Sequence, residues 1–97
     1  MYKLDFEEQA KREFDKLAIA IKRRLQRKLG ERLQHPRVEA DRLAGMPDCY
    51  KIKLRSDGFR LVYRVEDDAV VVLVIAVGKR DSSKRDIYDV AANRLRL

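Results

Sequence analysis

The chain has 97 residues, of which 45% are apolar and 40% are charged, and its formal net charge at pH 7 is +7. The apolar residues recur in periodic runs that can bury surface, so this composition excludes a disordered chain, and the length predicts one domain, residues 1–97, with a single core. The excess of positive charge predicts a polyanionic partner, which is most simply a nucleic acid or an acidic protein.

Cysteine content and apolar run length indicate the cellular setting. Cys49 is the only cysteine, which excludes an internal disulfide and a cysteine-rich metal site. No signal peptide is recognisable, so we expect a reducing, cytoplasmic location. The longest apolar run, residues 69–77, has half the length that a bilayer requires and predicts a buried strand, not a membrane segment.

The N-terminal third predicts a short strand followed by a helical hairpin. Residues 2–4 form the strand, and Asp5 with Glu8 resembles a capping box that starts a helix. Apolar residues then continue at helical spacing, so pattern alone predicts one helix over residues 6–34. Such a helix would run about 40 Å, whereas a compact domain of this size has a radius of gyration of about 13 Å. We therefore expect a break near residues 17–19.

The second helix of this hairpin is strongly basic. Its cations are Lys22, Arg23, Arg24, Arg27, Lys28 and Arg32, and Glu31 is its only carboxylate. Two interpretations stay open: an ordinary solvated helix face, or a surface that contacts the phosphates of a large nucleic acid. Pro36 ends the helix, and a polar connection over residues 35–47 leads into a sheet.

Residues 49–65 predict a β-hairpin with one apolar and one basic face. Asp57-Gly58 is a preferred dipeptide for a two-residue type I′ turn, which would pair Ser56 with Phe59 and fix the register. Strand periodicity then separates the side chains. The apolar pairs are Leu54 with Leu61, Ile52 with Tyr63 and Tyr50 with Val65, and the other face pairs Arg55 with Arg60, Lys53 with Val62 and Lys51 with Arg64.

The cations on that second face predict an anion-binding surface. Like charges placed directly across a sheet are destabilising, by up to about 1 kcal/mol per pair. Long cations also keep an exposed strand soluble, but solubilising surfaces usually mix signs, and this face carries no carboxylate in the predicted register. The pattern therefore favours binding of an anion over simple solvation.

The C-terminal third predicts a central strand and a last helix. After a turn at residues 66–68, the very apolar strand 70–77 is expected at the centre of the sheet, and Gly78 ends it. Lys79 and Arg80 follow at the strand's end. Ser82 or Ser83 then caps a helix that runs to about Leu95 and carries Tyr88 near the edge of its apolar side.

Common catalytic signatures are absent from the sequence, which has no glycine-rich phosphate loop, metal-ligand cluster or nucleophile elbow. The one histidine, His35, stands before Pro36 and is predicted to be solvated. A cleavage reaction would then depend on lysine and arginine. Neighbouring cations should lower the pKa of Lys53, which makes a lysine base chemically feasible, whereas arginine does not readily lose its proton.

A family resemblance adds to this interpretation. Residues 45–80, GMPDCYKIKLRSDGFRLVYRVEDDAVVVLVIAVGKR, resemble the RelE toxins of bacterial RelBE toxin–antitoxin systems, and the opening LDF and the connection PRVEADRL match as well. The segments YKIKLR, GFRLVY and VGKR are together specific to the RelE branch. The resemblance implies an α+β fold of RelE/ParE type, with an N-terminal helical hairpin packed on a mainly antiparallel sheet and a C-terminal helix.

The resemblance also implies an activity, a metal-independent endonuclease that cuts mRNA in the ribosomal A site by attack of the substrate's own 2′-hydroxyl on the adjacent phosphate. It makes Lys53 the general base and Arg60 with Lys51 the clamp on the phosphate. Arg80 would act at the leaving 5′-oxygen and Tyr88 would orient the substrate. No cofactor is implied. The basic helix, with Lys22, Arg23, Arg24, Arg27 and Lys28, would grip ribosomal RNA.

The implied partners are a RelB-like antitoxin, the 70S ribosome with its A-site mRNA, and operator DNA reached only through the antitoxin complex. Two alternatives compete with the nuclease. A ParE-like toxin inhibits DNA gyrase and cleaves nothing, and a plain nucleic-acid-binding module uses the same cations only to bind phosphate. The ParE-like toxin would not need Lys51, Lys53, Arg60 and Arg80 as a set.

Overall fold

A computed structural model describes residues 1–79 and 86–96 of the chain. These residues form a four-stranded sheet with helices on both faces. The elements in chain order are β1 (Lys3–Phe6), α1 (Glu8–Asp15), α2 (Ile19–Gln34), a short 3-10 helix (Glu39–Asp41), β2 (Cys49–Leu54), β3 (Phe59–Glu66), β4 (Val71–Lys79) and α3 (Ile87–Leu95).

The sheet has the strand order β1-β4-β3-β2. β1 pairs with β4 in parallel, and the other two pairings are antiparallel. The predicted α+β class and the mainly antiparallel sheet are therefore confirmed. The prediction that the most apolar strand is central is also confirmed, because β4 lies between β1 and β3 and most of its side chains are buried.

The two faces of the sheet bury separate apolar clusters. On one face, α1 and α2 pack against side chains such as Ile52, Leu61 and Val74. On the other face, α3 packs against Val62, Ile75 and other members of a smaller cluster. Since β2 lies at the sheet edge beyond α3, its non-core side chains on this second face remain partly exposed.

The N-terminal helical hairpin is confirmed, and its break falls at residues 16–18. Lys16 caps the C-terminus of α1, and Ala18 is the extended N-cap residue of α2. The predicted start of the first helix is wrong. Asp5 belongs to β1 and pairs with Leu73, and the N-cap is Glu7, whose carboxylate accepts the N–H of Ala10 at 2.8 Å. Parallel pairing with β4 thus extends β1 past the predicted cap.

The hairpin between β2 and β3 has a different register from the prediction. Its loop contains the four residues 55–58, so Leu54 pairs with Phe59 and Lys53 pairs with Arg60. Gly58 has φ +73°, which suits glycine, and donates its N–H to the carbonyl of Leu54 at 2.9 Å. Every partner moves by two residues, so the side chains keep their predicted faces.

The wider loop has a non-local cause. Asp57, predicted to sit in a tight turn, instead forms an ion pair with Arg24 of α2, which also donates to the hydroxyl of Ser56 at 3.0 Å. Phe59, which pairs with Leu54, packs against the apolar core beneath α1 and α2. Contacts with α2 and the core therefore override the local preference of Asp57-Gly58 for a two-residue turn.

The last helix is capped by Asp86, whose carboxylate accepts the N–H of Tyr88 at 2.8 Å. The predicted caps Ser82 and Ser83 lie outside the described residues. Among the helices that the structure describes, none combines the length and apolarity needed to cross a membrane.

Candidate active site

Three cations from β2 and β3 come together on the sheet face that α3 covers only in part. Lys53 lies directly opposite Arg60, and Lys51 lies opposite Val62. All three cations are half-exposed. We call Lys51, Lys53 and Arg60 the cation face. The sequence correctly placed these three residues together on one face, although it paired them with different partners.

The other two predicted members of this face differ, because Arg55 leaves it for the hairpin loop whereas Arg64 stays on it. Arg55 belongs to the hairpin loop and is exposed. Arg64 lies opposite Cys49 and forms an ion pair with Glu66 at 2.6 Å. The expectation that this face carries no carboxylate is therefore wrong at its far end, because β3 continues to Glu66, which was predicted to lie in a turn.

Seven arginines of the described chain are paired with carboxylates. They are Arg12, Arg24, Arg32, Arg37, Arg42, Arg64 and Arg94. The arginines of residues 1–79 and 86–96 that have no described carboxylate within ion-pair distance are Arg23 and Arg27 on α2, Arg55 and Arg60 on the hairpin, and Arg96 near the chain end. Uncompensated arginine charge is thus concentrated on the hairpin and on α2.

Crowding of like charges changes the acid–base behaviour of the cation face. The positive charge of Lys51 lowers the pKa of Lys53, and desolvation and the charge of Arg60 lower it further. The sequence predicted this direction, with Lys51 and Arg60 among the four neighbouring cations expected to cause it; Arg64, another of the four, is not among the causes. A lysine with a lowered pKa has more of the neutral amine near neutral pH, and the neutral amine is the form that accepts a proton.

Tyr88 lies on the same side of the sheet as the cation face. It occupies the first turn of α3, is half-buried, and packs against the apolar cluster that contains Val62, the partner of Lys51. Arg80 lies outside the described residues. The described part of β4 ends at Lys79, which pairs with Phe59 at the hairpin end of the sheet.

The basic residues of α2 fall into two groups. Arg23, Arg27 and Lys28 are exposed, and Lys22 is half-buried with its ammonium 3.1 Å from the carbonyl of Asp15. Arg24 is engaged by Asp57 and Ser56 of the hairpin loop. The outward surface of α2 that is open to an anion is therefore narrower than the sequence suggests.

Arg32 of the same helix has a structural role that sequence reasoning missed. Its guanidinium donates to the carbonyl of Lys51 at 3.1 Å, to the hydroxyl of Tyr63 at 2.8 Å and to the carboxylate of Asp41 at 2.6 Å. Only 14% of its side chain is exposed. Arg32 thus fixes the outer edge of β2 behind the cation face. Its charge was visible in the sequence, but its partners are not local.

Described residues contain no cluster of three or more His, Cys, Asp or Glu side chains that is arranged to hold a metal ion. Cys49 is buried, and burial raises the pKa of its thiol to about 11, so it is a poor nucleophile. The cation face itself therefore offers the chemistry of lysine and arginine, with Tyr88 on the same side of the sheet.

Comparison with known proteins identifies the family. Residues 4–83 match the model of the ParE toxin of type II toxin–antitoxin system, parDE. The mRNA interferase toxin RelE of Escherichia coli strain K12 is 54% identical over 94 residues, which is 97% of each chain. The chain is a RelE-family toxin. The predicted resemblance is thereby confirmed.

Solved structures agree with this RelE-family assignment. The crystal structure of the isolated E. coli RelE toxin, P21 form, has a TM-score of 0.82 and 52% identity, over 98% of this chain and 99% of that one. In the intact E. coli RelBE toxin–antitoxin complex, the matched chain has a TM-score of 0.81 and 57% identity, over 84% of this chain and 99% of that one. The cation face therefore belongs to a RelE fold.

Proposed function

We propose that this toxin is a ribosome-dependent endoribonuclease that cuts mRNA in the ribosomal A site and thereby stops translation. The observation that carries the proposal is the cation face, in which Lys53 and Arg60 oppose one another with no described carboxylate to compensate them. Identity of 54% to a protein named mRNA interferase toxin favours RNA cleavage over the gyrase inhibition considered for a ParE-like toxin.

The proposed reaction is an internal transesterification. The 2′-hydroxyl of the substrate attacks the adjacent phosphorus, its proton passes to the neutral amine of Lys53, and a 2′-O–P bond forms. The P–O5′ bond then breaks and the leaving 5′-oxygen takes a proton from solvent water, which leaves a 2′,3′-cyclic phosphate and a 5′-hydroxyl end. Lys51 and Arg60 neutralise charge on the phosphorus oxygens, which is the contribution that phosphoryl transfer most needs.

Two further residues complete the proposed site. Arg80 would stabilise negative charge on the leaving 5′-oxygen, a role that suits an arginine better than proton donation. Tyr88 would orient the substrate from α3, on the same side of the sheet as Lys51. Both assignments rest on the RelE resemblance and join the cation face, which residue patterning alone also predicts.

The ribosome would be bound through the outward surface of α2. Arg23, Arg27 and Lys28 are exposed, and Lys22 lies beside Arg23 near the N-terminal end of α2. Such cations neutralise RNA phosphates without sequence preference. The ribosome would present the codon in an attack-ready geometry, so free RNA should be cut far more slowly.

The proposed regulator is a RelB-like antitoxin, and operator DNA would be reached only through the toxin–antitoxin complex. Structures of E. coli RelE with its antitoxin support this partner. A net charge of +7 suits an acidic antitoxin. The proposed location is the cytoplasm, where ribosomes and such an antitoxin are found.

Primer extension on programmed ribosomes tests the proposal. Wild-type protein should create new mRNA ends at the A-site codon, whereas Lys53→Ala and Arg80→Ala should abolish these ends and leave ribosome binding nearly unchanged. Lys16→Ala, an exposed cation at the end of α1, is the matched control and should cut normally. Wild-type protein that impairs gyrase supercoiling and leaves the mRNA intact would refute the nuclease in favour of a ParE-like activity.

A further inference from the structure

Strand β4 loses its neighbour halfway along one edge. β1 pairs only with residues 71–74 of β4. Immediately beyond, Ile75 is a bulge residue, because Tyr63 pairs with Val74 and Val62 pairs with Ala76. Backbone groups of β4 after the bulge therefore face no strand of the described chain on this edge, although the side chains of residues 75–77 are buried. Buried backbone groups need a hydrogen-bond partner.

Two side chains take the place of the missing strand. The N–H of Val77 donates to Oε1 of Glu13 at 3.2 Å, and Nη1 of Arg94 donates to the carbonyl of Ile75 at 2.9 Å. Glu13 and Arg94 are themselves joined by two hydrogen bonds of 2.8 and 2.7 Å. Their side chains are only 19% and 9% exposed.

This pair connects three elements, because Glu13 lies on α1, Arg94 on α3 and the bulge on β4. Helix α3 has nine residues, and helices of that length are not stable in isolation. Its position on the sheet therefore depends on tertiary contacts. Arg94 anchors its C-terminal turn, and Ile87 anchors its first turn against Gly78, where an added Cβ would lie 2.8 Å from Cδ1 of Ile87.

Tyr88 follows Ile87 directly and packs on the cluster that contains Val62, the partner of Lys51. A rotation or shift of α3 therefore moves Tyr88 relative to the cation face. We propose that Glu13 and Arg94 are positioning residues that fix the register of α3 on β4 and so hold Tyr88 beside Lys51 and Lys53. This inference rests on the proposed function of the cation face.

Single-turnover cleavage on programmed ribosomes tests the kinetic consequence. Glu13→Gln and Arg94→Lys should each lower the cleavage rate about tenfold, because small misplacements of orienting groups are costly. The ribosome concentration at half-saturation should not change, since α2 is untouched. Arg37→Gln is the matched control. Arg37 forms ion pairs with two carboxylates, Asp48 and Asp67, and neither lies on α3. This variant should keep the wild-type rate.

A double-mutant cycle separates positioning from general destabilisation. If Glu13 acts through Tyr88, adding Glu13→Gln to Tyr88→Ala should lower the rate less than twofold further. The inference would be overturned if the rate losses of Glu13→Gln and Tyr88→Ala multiplied in the double variant. It would also be overturned if Arg37→Gln lowered the rate as much as Glu13→Gln does. Wild-type protein that cuts no mRNA would instead refute the proposed function, so the two failures are distinguishable.

A fluorescence readout does not depend on cleavage. The chain contains no tryptophan, so Tyr88→Trp introduces a single reporter at this position. Adding Glu13→Gln should shift its emission to longer wavelength and increase quenching by iodide, whereas adding Arg37→Gln should do neither. Unchanged emission and quenching in the Glu13→Gln background, in protein whose circular dichroism is native, would show that the pair does not hold α3 in place.

Discussion

Lys53 and Arg60 occupy directly opposing positions in the antiparallel ladder between β2 and β3. Like charges in such a pair repel one another and destabilise the sheet. No described carboxylate compensates either residue, whereas Arg64 on the same strand is paired with Glu66. The hairpin therefore keeps an unfavourable arrangement at one end and a compensated one at the other, which is typical of a functional surface.

The first prediction is that removing the charge of Lys53 stabilises the protein while it abolishes cleavage. The charged form of Lys53 is disfavoured in the fold, so its penalty is fully present below the lowered pKa and is relieved as pH rises through it. At pH 7, Lys53→Gln should melt at a higher temperature than wild type in circular dichroism. Lys16→Gln should not raise the melting temperature. A lower melting temperature for Lys53→Gln than for wild type would contradict the prediction.

The second prediction concerns the pH dependence of cleavage. If the neutral amine of Lys53 is the base, the single-turnover rate rises with pH and levels off above its lowered pKa. Lys51→Gln removes the largest cause of that lowering, so the pKa of Lys53 rises and the rising limb moves to higher pH. Arg64→Gln is the control, and the rise of its cleavage rate with pH should occur at the same pH as in wild type. An unshifted limb in Lys51→Gln would exclude Lys53 as the titrating base.

Much of the fold follows from local patterns in the sequence. Apolar periodicity placed the strands, the size of a compact domain required the break between α1 and α2, and composition put β4 at the centre of the sheet. The hairpin register was wrong because Asp57-Gly58 is only a local signal. The ion pair between Asp57 and Arg24, 33 residues apart, is not visible in any sequence window.

The candidate site was predictable to a similar degree. Strand alternation put Lys51, Lys53 and Arg60 on one face, and the structure keeps them there. Sequence shows how many cations a helix carries but not which of them find carboxylates. The sequence therefore assigned Arg32 to a basic surface, whereas in the structure it is bound to Asp41 and supports the edge of β2.

The third prediction separates two neighbouring cations of α2. Arg27 is exposed and has no described ion-pair partner, whereas Arg24 is paired with Asp57. Arg27→Gln should reduce the slope of log binding constant against log salt concentration for the ribosome by about 1, as expected for one lost phosphate contact. Arg24→Gln should change the slope much less. Equal changes would mean that Arg24 leaves Asp57 to bind RNA.

The fourth prediction concerns the turn between β3 and β4. Val70 has φ +54°, a left-handed conformation that is unfavourable for a β-branched residue, and its side chain is 44% exposed. Val70→Gly should therefore raise the free energy of unfolding by about 1 kcal/mol, because relief of strain exceeds the added chain entropy of glycine. Urea denaturation measures this change. Ala69→Gly, at an adjacent exposed position without positive φ, should be neutral or destabilising.

The fifth prediction tests the close approach of α3 to β4 at Gly78. A Cβ added there would lie 2.8 Å from Cδ1 of Ile87, so Gly78→Ala must displace that side chain. We expect a loss of about 1–3 kcal/mol in the free energy of unfolding, as for other overpacked cores. Ile87→Val removes the clashing methyl group and alone should cost about 1 kcal/mol.

Combining the two changes gives the decisive measurement. If the clash causes the loss, Gly78→Ala with Ile87→Val should be more stable in urea than the sum of the single effects predicts, because the valine leaves room for the alanine. Additive losses would show that Gly78 is required for another reason. As Ile87 precedes Tyr88, the cleavage rate of Gly78→Ala should recover in the double variant together with its stability.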